Sequence, residues 1–194
     1  MDRTYQNLAT AFIGESMARN RYSIYASIAR KAGYEQIAAI FLETADQEKE
    51  HASKLFAWMS ELAQKPDNAG KIVIENVEVE NVRGTTEENL RSAIHGEGHE
   101  HTEMYPEFAR VAAEEGYTDI SKHLIAIAQA ENHHQQRYQK ILEVLEKGET
   151  FQKSEDVWWC CRECGYMLFN KSAPDKCPAC SHPQAYYQLR QEVF

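Results

Sequence analysis

Two sets of residues in this 194-residue chain have types and spacings suited to holding cations. The first lies on lines of residues seven apart, which keep nearly one helix face. These lines read Leu8, Glu15, Tyr22; Phe41, Glu48, Leu55; Leu90, Glu97, Met104; and Leu124, Glu131, Tyr138. Each puts a glutamate in the middle of an apolar or aromatic stripe. Glu48 and Glu131 are each followed three residues later by a histidine, His51 and His134, so that both side chains point into the same gap between helices. Ionised carboxylates gathered in a dry core repel one another and are costly to desolvate. Divalent cations would neutralise them. Oxygen donors with an imidazole on each metal suit iron or manganese better than a thiol-rich set would.

The second set is sulfur. All five cysteines lie between Cys160 and Cys180. Cys161-x2-Cys164 and Cys177-x2-Cys180 are separated by twelve residues and form two chelating turns able to close a tetrahedral four-thiolate site. Spacing alone leaves zinc and iron both open. Cys160 fits a knuckle less well and reads as an inert thiol. The aromatics nearby, Trp158, Trp159, Tyr166, Phe169, Tyr186 and Tyr187, would shield a metal or fill the core of a small stapled module.

The elements that must position these residues follow from composition. Helical periodicity marks 3–31, 35–64, 85–114 and 118–147. Gly33 and Gly116 punctuate two short turns, and Thr85 with Glu87 and Glu88 opens the third helix. Asp119 is placed to help start the fourth. Lys65 to Gly84 is too long for a tight turn and reads as a crossover with a short extended piece. Two short turns and one long crossover match the ferritin-like four-helix bundle, so the expected fold is mainly α, with domains at 1–148 and 149–194. Glu15 to Glu48 spans 33 residues and Glu97 to Glu131 spans 34, as in two similar hairpins. Four inward glutamates and two Glu-x-x-His histidines are the ligand set of di-iron carboxylate bundles. Glu100, three residues after Glu97, is a seventh candidate that alone reads as a solvated carboxylate. His95, His99, His101, His123 and His133 have no repeat partner and read as surface residues or neighbours of the ligands.

A net charge of −9 disfavours nucleic acid and anionic membrane surfaces as partners. No apolar run approaches the ~20 residues of a membrane span, and no signal-peptide core opens the chain, so a cytoplasmic location is expected. Clustered Cys-x-x-Cys pairs in an unexported chain point to metal rather than disulfides.

Gly14-Glu15-Ser-Met-Ala-Arg-Asn-Arg-Tyr22, Glu48-Lys-Glu-His51-Ala, Gly96-Glu97-Gly-His-Glu100, Met104-Tyr105-Pro-Glu-Phe108, Glu131-Asn-His-His134, and Cys161-x2-Cys164-Gly-Tyr with Cys177-Pro-x-Cys180 occur in this order. In these motifs the chain resembles the rubrerythrin family over almost its whole length. Ser181 stands where free-standing rubredoxins usually have glycine. The resemblance implies two non-haem irons and one Fe(S-Cys)4 per chain, with zinc as a substitute. Glu48 and Glu131 would bridge the irons, Glu15 and His51 would face one, and Glu97 and His134 the other. Glu100 would exchange with His51 as the iron changes oxidation state. Tyr22 and Tyr105 would hydrogen-bond the metal carboxylates; without the resemblance both read as seam aromatics.

The implied activity is two-electron reduction of hydrogen peroxide to water, with Glu100, His51, Tyr22 and Tyr105 at the reacting centre and the thiolate iron as relay. An antiparallel homodimer is implied, reduced by an external rubredoxin or an NAD(P)H-dependent reductase. This chain itself has no dinucleotide fingerprint. Two other classes stand beside this one: a ferritin-like ferroxidase or iron-handling protein, and a structural protein bearing a zinc ribbon. An oxidase using dioxygen is a variant of the first.

Overall fold

Apolar stripes on long helices are stable only when neighbours cover them, and here four helical segments cover one another. The computed structural model describes residues 1–69, 72–75 and 77–190. Residues 70, 71 and 76 of the expected crossover and 191–194 of the expected C-terminal module lie outside the described residues. Helix α1 spans Arg3–Lys31, α2 Glu35–Leu62, α3 Thr86–His99, α4 Tyr105–Glu114 and α5 Thr118–Glu146. A π-helical turn, Glu100–Met104, joins α3 to α4, so the chain keeps the four-segment plan of a ferritin-like bundle. The described residues of the crossover form no strand.

The ends of the helices follow local chemistry. Gly33 (φ +87°) and Gly116 (φ +84°) adopt the left-handed backbone that closes α1 and α4. In each case the next residue bonds back into the last turn, Tyr34 to the Ala29 carbonyl at 2.9 Å and Tyr117 to the Ala112 carbonyl at 2.8 Å. Thr85 and Glu88 form a reciprocal capping box at the start of α3. Asp119 lies in the first turn of α5, whose N-cap position is held by Tyr117.

The π turn corrects the expectation of an unbroken third helix with Met104 on its inner line. Pro106 has no N–H to offer the Thr102 carbonyl, and its ring would crowd that carbonyl in an α-helix. The turn widens instead, with the Tyr105 N–H bonding to the Glu100 carbonyl. One residue is thereby added to the phase. Tyr105 becomes fully buried while Met104 is only partly covered.

Two apolar clusters fill the bundle, one around Tyr22, Phe41, Leu90 and Tyr138, the other around Leu8, Leu55, Tyr105 and Leu124. The four midline glutamates lie in sequence between the two clusters on every helix. They form a polar layer between two dry ones.

The C-terminal module is an antiparallel sheet of β1 (Gln152–Cys161), β2 (Met167–Ser172) and β3 (Tyr187–Leu189) in the order β2-β1-β3. Its core holds Trp159, Cys161, Ala173, Cys177 and Tyr187. Trp158 and Phe169, expected to shield the sulfurs, instead pair on the exposed face at 5.2 Å, because strand alternation turns them away from Trp159. The module meets the α1–α2 turn, where Tyr34 stacks on Phe151 with ring centres 6.2 Å apart. Among the described residues no helix is long and apolar enough to cross a membrane.

Candidate metal centres

The polar layer is built from one glutamate per helical segment. Glu15, Glu48, Glu97 and Glu131 are all buried, as is His134, and His51 is half-buried. His51 Nδ1 lies 2.9 Å from Glu131 Oε1, 3.1 Å from Glu48 Oε2 and 3.7 Å from Glu15 Oε1. His134 Nδ1 lies 2.7 Å from Glu131 Oε2, 3.3 Å from Glu48 Oε1 and 3.3 Å from Glu97 Oε2. Glu48 and Glu131 therefore each turn one oxygen to each histidine. The donors fall into two groups of four, Glu15, Glu48, His51, Glu131 and Glu48, Glu97, Glu131, His134, each drawn together within 4.8 Å. The shared members are Glu48 and Glu131.

Burial and charge decide where this layer holds protons when no cation balances it. Burial, reinforced by Glu48 and Glu131, raises the Glu15 carboxyl well above its ordinary range. Burial pushes Glu97 up to about 8, with His134 pulling the other way. Glu48 is also buried, but the neighbouring imidazoles of His134 and His51 overcome that and bring it down to about 2. Burial lowers both imidazoles, yet the carboxylates prevail: they raise His51 far above its usual value and His134 to about 12. Even so, Glu15 Oε2, Glu48 Oε1 and both Glu131 oxygens have no aligned hydrogen-bond partner. Buried acceptors converging on two points, close to imidazole nitrogens but not bonded to them in line, fit a pair of metal ions.

Two tyrosines hold this layer from opposite ends. Tyr22 donates to Glu97 Oε1 at 2.5 Å, and Tyr105 donates to Glu15 Oε1. Tyr22 follows Glu15 by seven residues, whereas Tyr105 follows Glu97 by eight. The π turn absorbs the extra residue and gives the two hairpins matching tyrosines. Both hydroxyls stay protonated because burial, then the neighbouring carboxylates, raises them well above the usual phenol. Glu100 stands outside both groups of four. It is partly buried, and burial followed by the charges of Glu15 and Glu97 raises its carboxyl strongly. Gln47 was not a candidate from the sequence, yet its Oε1 lies 2.9 Å from His134 Nε2 and fixes the ring with Nδ1 inward. Only its place beside Glu48 hinted at this. Of the other histidines, His101 meets Gln135 and His123 packs edge-on against Trp58.

In the module, Cys161, Cys164, Cys177 and Cys180 come together within 4.8 Å. Sγ separations of 3.7 Å for Cys161–Cys180 and Cys164–Cys177 match the edge of about 3.8 Å in a tetrahedron with bonds of about 2.3 Å. The two knuckles repeat each other's backbone. Gly165 N–H bonds to the Cys161 carbonyl and Ser181 N–H to the Cys177 carbonyl, both at 2.9 Å. Ser181 (φ 66°) and Gly165 (φ 74°) share the left-handed conformation. Burial raises the Cys177 thiol, but Tyr187 and the Cys180 and Ala179 N–H groups bring it down to about 6. Cys160, outside the group of four, is in no disulfide, and its Sγ lies 3.8 Å from the Cys161 carbonyl.

The family description Rubrerythrin matches residues 6–142, and that of the rubrerythrin rubredoxin-like domain matches 159–188. The chain belongs to the rubrerythrin family. It is similar to the rubrerythrin of Porphyromonas gingivalis, with 45% identity over 96% of this chain and 89% of that one. With the rubrerythrin of Nitratidesulfovibrio vulgaris it shares 42% identity over 96% and 94% of the two chains. The solved structure of fully reduced, all-ferrous nigerythrin resembles it at a TM-score of 0.64 and 29% identity, over 98% of this chain and 88% of that one. As a rubrerythrin, the chain carries a carboxylate and histidine candidate site for two irons and a rubredoxin-like four-cysteine iron site.

Proposed function

We propose that this rubrerythrin is a cytoplasmic peroxidase that reduces hydrogen peroxide to water. The supporting observation is the pair of shared carboxylates, Glu48 and Glu131, each presenting one oxygen to each histidine. In this reading they would help hold both of two irons, with Glu15 and His51 completing one ligand set and Glu97 and His134 the other. When bound, two ferrous ions supply Lewis acidity and one electron each. In the net reaction the O–O bond breaks, two electrons and two protons are taken up, and two waters leave. Tyr22 and Tyr105 hold Glu97 and Glu15 by their hydroxyls, so the carboxylates keep their places while charge changes between them. Gln47 keeps His134 from rotating, and the apolar clusters on either side exclude water. Glu100, next to the site but outside both groups of four, is the carboxylate free to exchange with His51.

Cys161, Cys164, Cys177 and Cys180, in a module taken as 149–194 beside a bundle of 1–148, would hold a single iron able to relay electrons one at a time. That module packs on the α1–α2 turn, and Tyr34 to Glu48 alone covers about 21 Å of helix. An antiparallel homodimer shortens this path by pairing one chain's module with the other's carboxylate site. The reductant comes from an external rubredoxin or an NAD(P)H-dependent reductase. Stopped-flow reoxidation of the iron-loaded, prereduced protein tests the reading. Rapid oxidation by peroxide is expected; slow oxidation by peroxide with rapid oxidation by dioxygen would overturn it.

A further inference from the structure

A cavity of about 420 Å³ lies near the carboxylate layer, between α1, α3 and the crossover. Gly14, Gly96, Met17, Arg21 and Glu100 line it on the helix side, and on the other the crossover from 74 to 80 contributes both the apolar Ile74, Val77 and Val79 and the acidic Glu75, Glu78 and Glu80. Gly14 and Gly96 immediately precede Glu15 and Glu97, so both hairpins place a residue without a side chain next to a midline carboxylate. A Cβ at Gly14 would find nothing nearer than Glu100 Oε1 at 3.9 Å, and one at Gly96 nothing nearer than Arg21 Nη2 at 3.7 Å. Neither glycine has the left-handed backbone that would demand it, and each lies inside a helix where alanine is the better helix former. Local geometry therefore does not require glycine at either position. What both provide is open space leading from the cavity to Glu100. Arg21 adds a cation to the wall, with a buried Nε that has no hydrogen-bond partner. A small, polar, hydrogen-bonding molecule suits such a wall better than a bulky apolar one.

We propose that this cavity is the oxidant's entrance to the carboxylate centre and that Gly14 and Gly96 set the size of hydroperoxide it admits. Hydrogen peroxide passes between them, and an alkyl hydroperoxide is held back. The inference rests on the peroxidase reading for its substrate, but the passage itself is open to a separate probe.

The test uses the full-length, iron-loaded protein as wild type, Gly14→Val, Gly96→Ala and Met17→Ala. Stopped-flow measurement follows reoxidation of the reduced centre by hydrogen peroxide and by tert-butyl hydroperoxide. A second arm follows azide binding to the oxidised protein by absorbance. Gly96→Ala is expected to melt higher than wild type yet react more slowly, a pair of signs that simple structural damage would not give. Gly14→Val is expected to slow hydrogen peroxide and azide about tenfold, with unchanged iron content and an unchanged final azide spectrum. Met17→Ala, which widens the cavity, is expected to speed the reaction with tert-butyl hydroperoxide selectively. If azide enters Gly14→Val at the wild-type rate, the passage is refuted. If azide behaves as expected but no hydroperoxide reacts with the wild type, the passage stands and the peroxidase reading falls.

Discussion

The carboxylate centre gathers donors as far apart in sequence as Glu15 and His134, on four helical segments, whereas the thiolate centre takes all of its donors from Cys161 to Cys180. Packing of the whole bundle sets the first; two repeated backbone turns set the second. The costs differ too. Buried carboxylates repel strongly and leave oxygens without partners. Cys177 receives N–H groups from its own knuckle, from Ala179 and Cys180, while burial and the other cysteines push Cys180 up to about 12. A site assembled by tertiary packing thus depends on its cations for charge balance. A site assembled locally needs a cation to hold its thiolates as well, and gains from it a staple for a small core.

The sharpest way to separate the two is to remove one donor from each. Glu131→Ala removes a carboxylate shared by both donor groups. It is expected to abolish iron in the bundle while the thiolate-to-iron absorption remains, as metal analysis with visible spectroscopy would show. Cys177→Ser should do the converse, erasing that absorption and loosening the module while the bundle keeps its iron.

Proton linkage gives the next largest contrast. Glu15, Glu97, Glu100, His51 and His134 all hold protons in the folded, metal-free layer more tightly than in the unfolded chain. Between about pH 5 and 8 the native state therefore binds more protons, and stability of the metal-free protein should fall as pH rises. The lowered carboxyl of Glu48, about 2, acts below this window. Metal displaces the same protons, so affinity for iron should rise over that range. Thermal melts with and without metal would diverge with pH; parallel curves would contradict the charge account.

The smallest effect concerns the matched knuckles. Ser181 adopts the conformation that Gly165 adopts without penalty. Ser181→Gly should stabilise the module by about 1 kcal/mol, read as a higher midpoint for loss of thiolate absorption on heating. Gly165→Ser should lower it by a similar amount.

Much of this was legible because a charged residue on an apolar line has few structural uses. Glu15, Glu48, Glu97 and Glu131 stood out for that reason, and the cysteines by spacing alone. Met104 misled because a period of seven assumes unbroken α-helix, while Pro106 forces a π turn that hands the inner position to Tyr105. Gln47 gave no periodic signal: its partner His134 lies 87 residues away, and only the packing of α2 on α5 unites them. Trp158 and Phe169 were misread because aromatic composition does not say which face of a strand a residue takes.

The central claim is that Glu48 and Glu131 are shared between two metal ions inside the bundle. Anomalous diffraction at the iron edge from crystals of iron-loaded protein tests it directly. The account predicts two bundle peaks, both within bonding distance of Glu48 and Glu131, one beside His51 and the other beside His134. A map with iron only among the four cysteines, and the glutamates paired through protons and water, would contradict it.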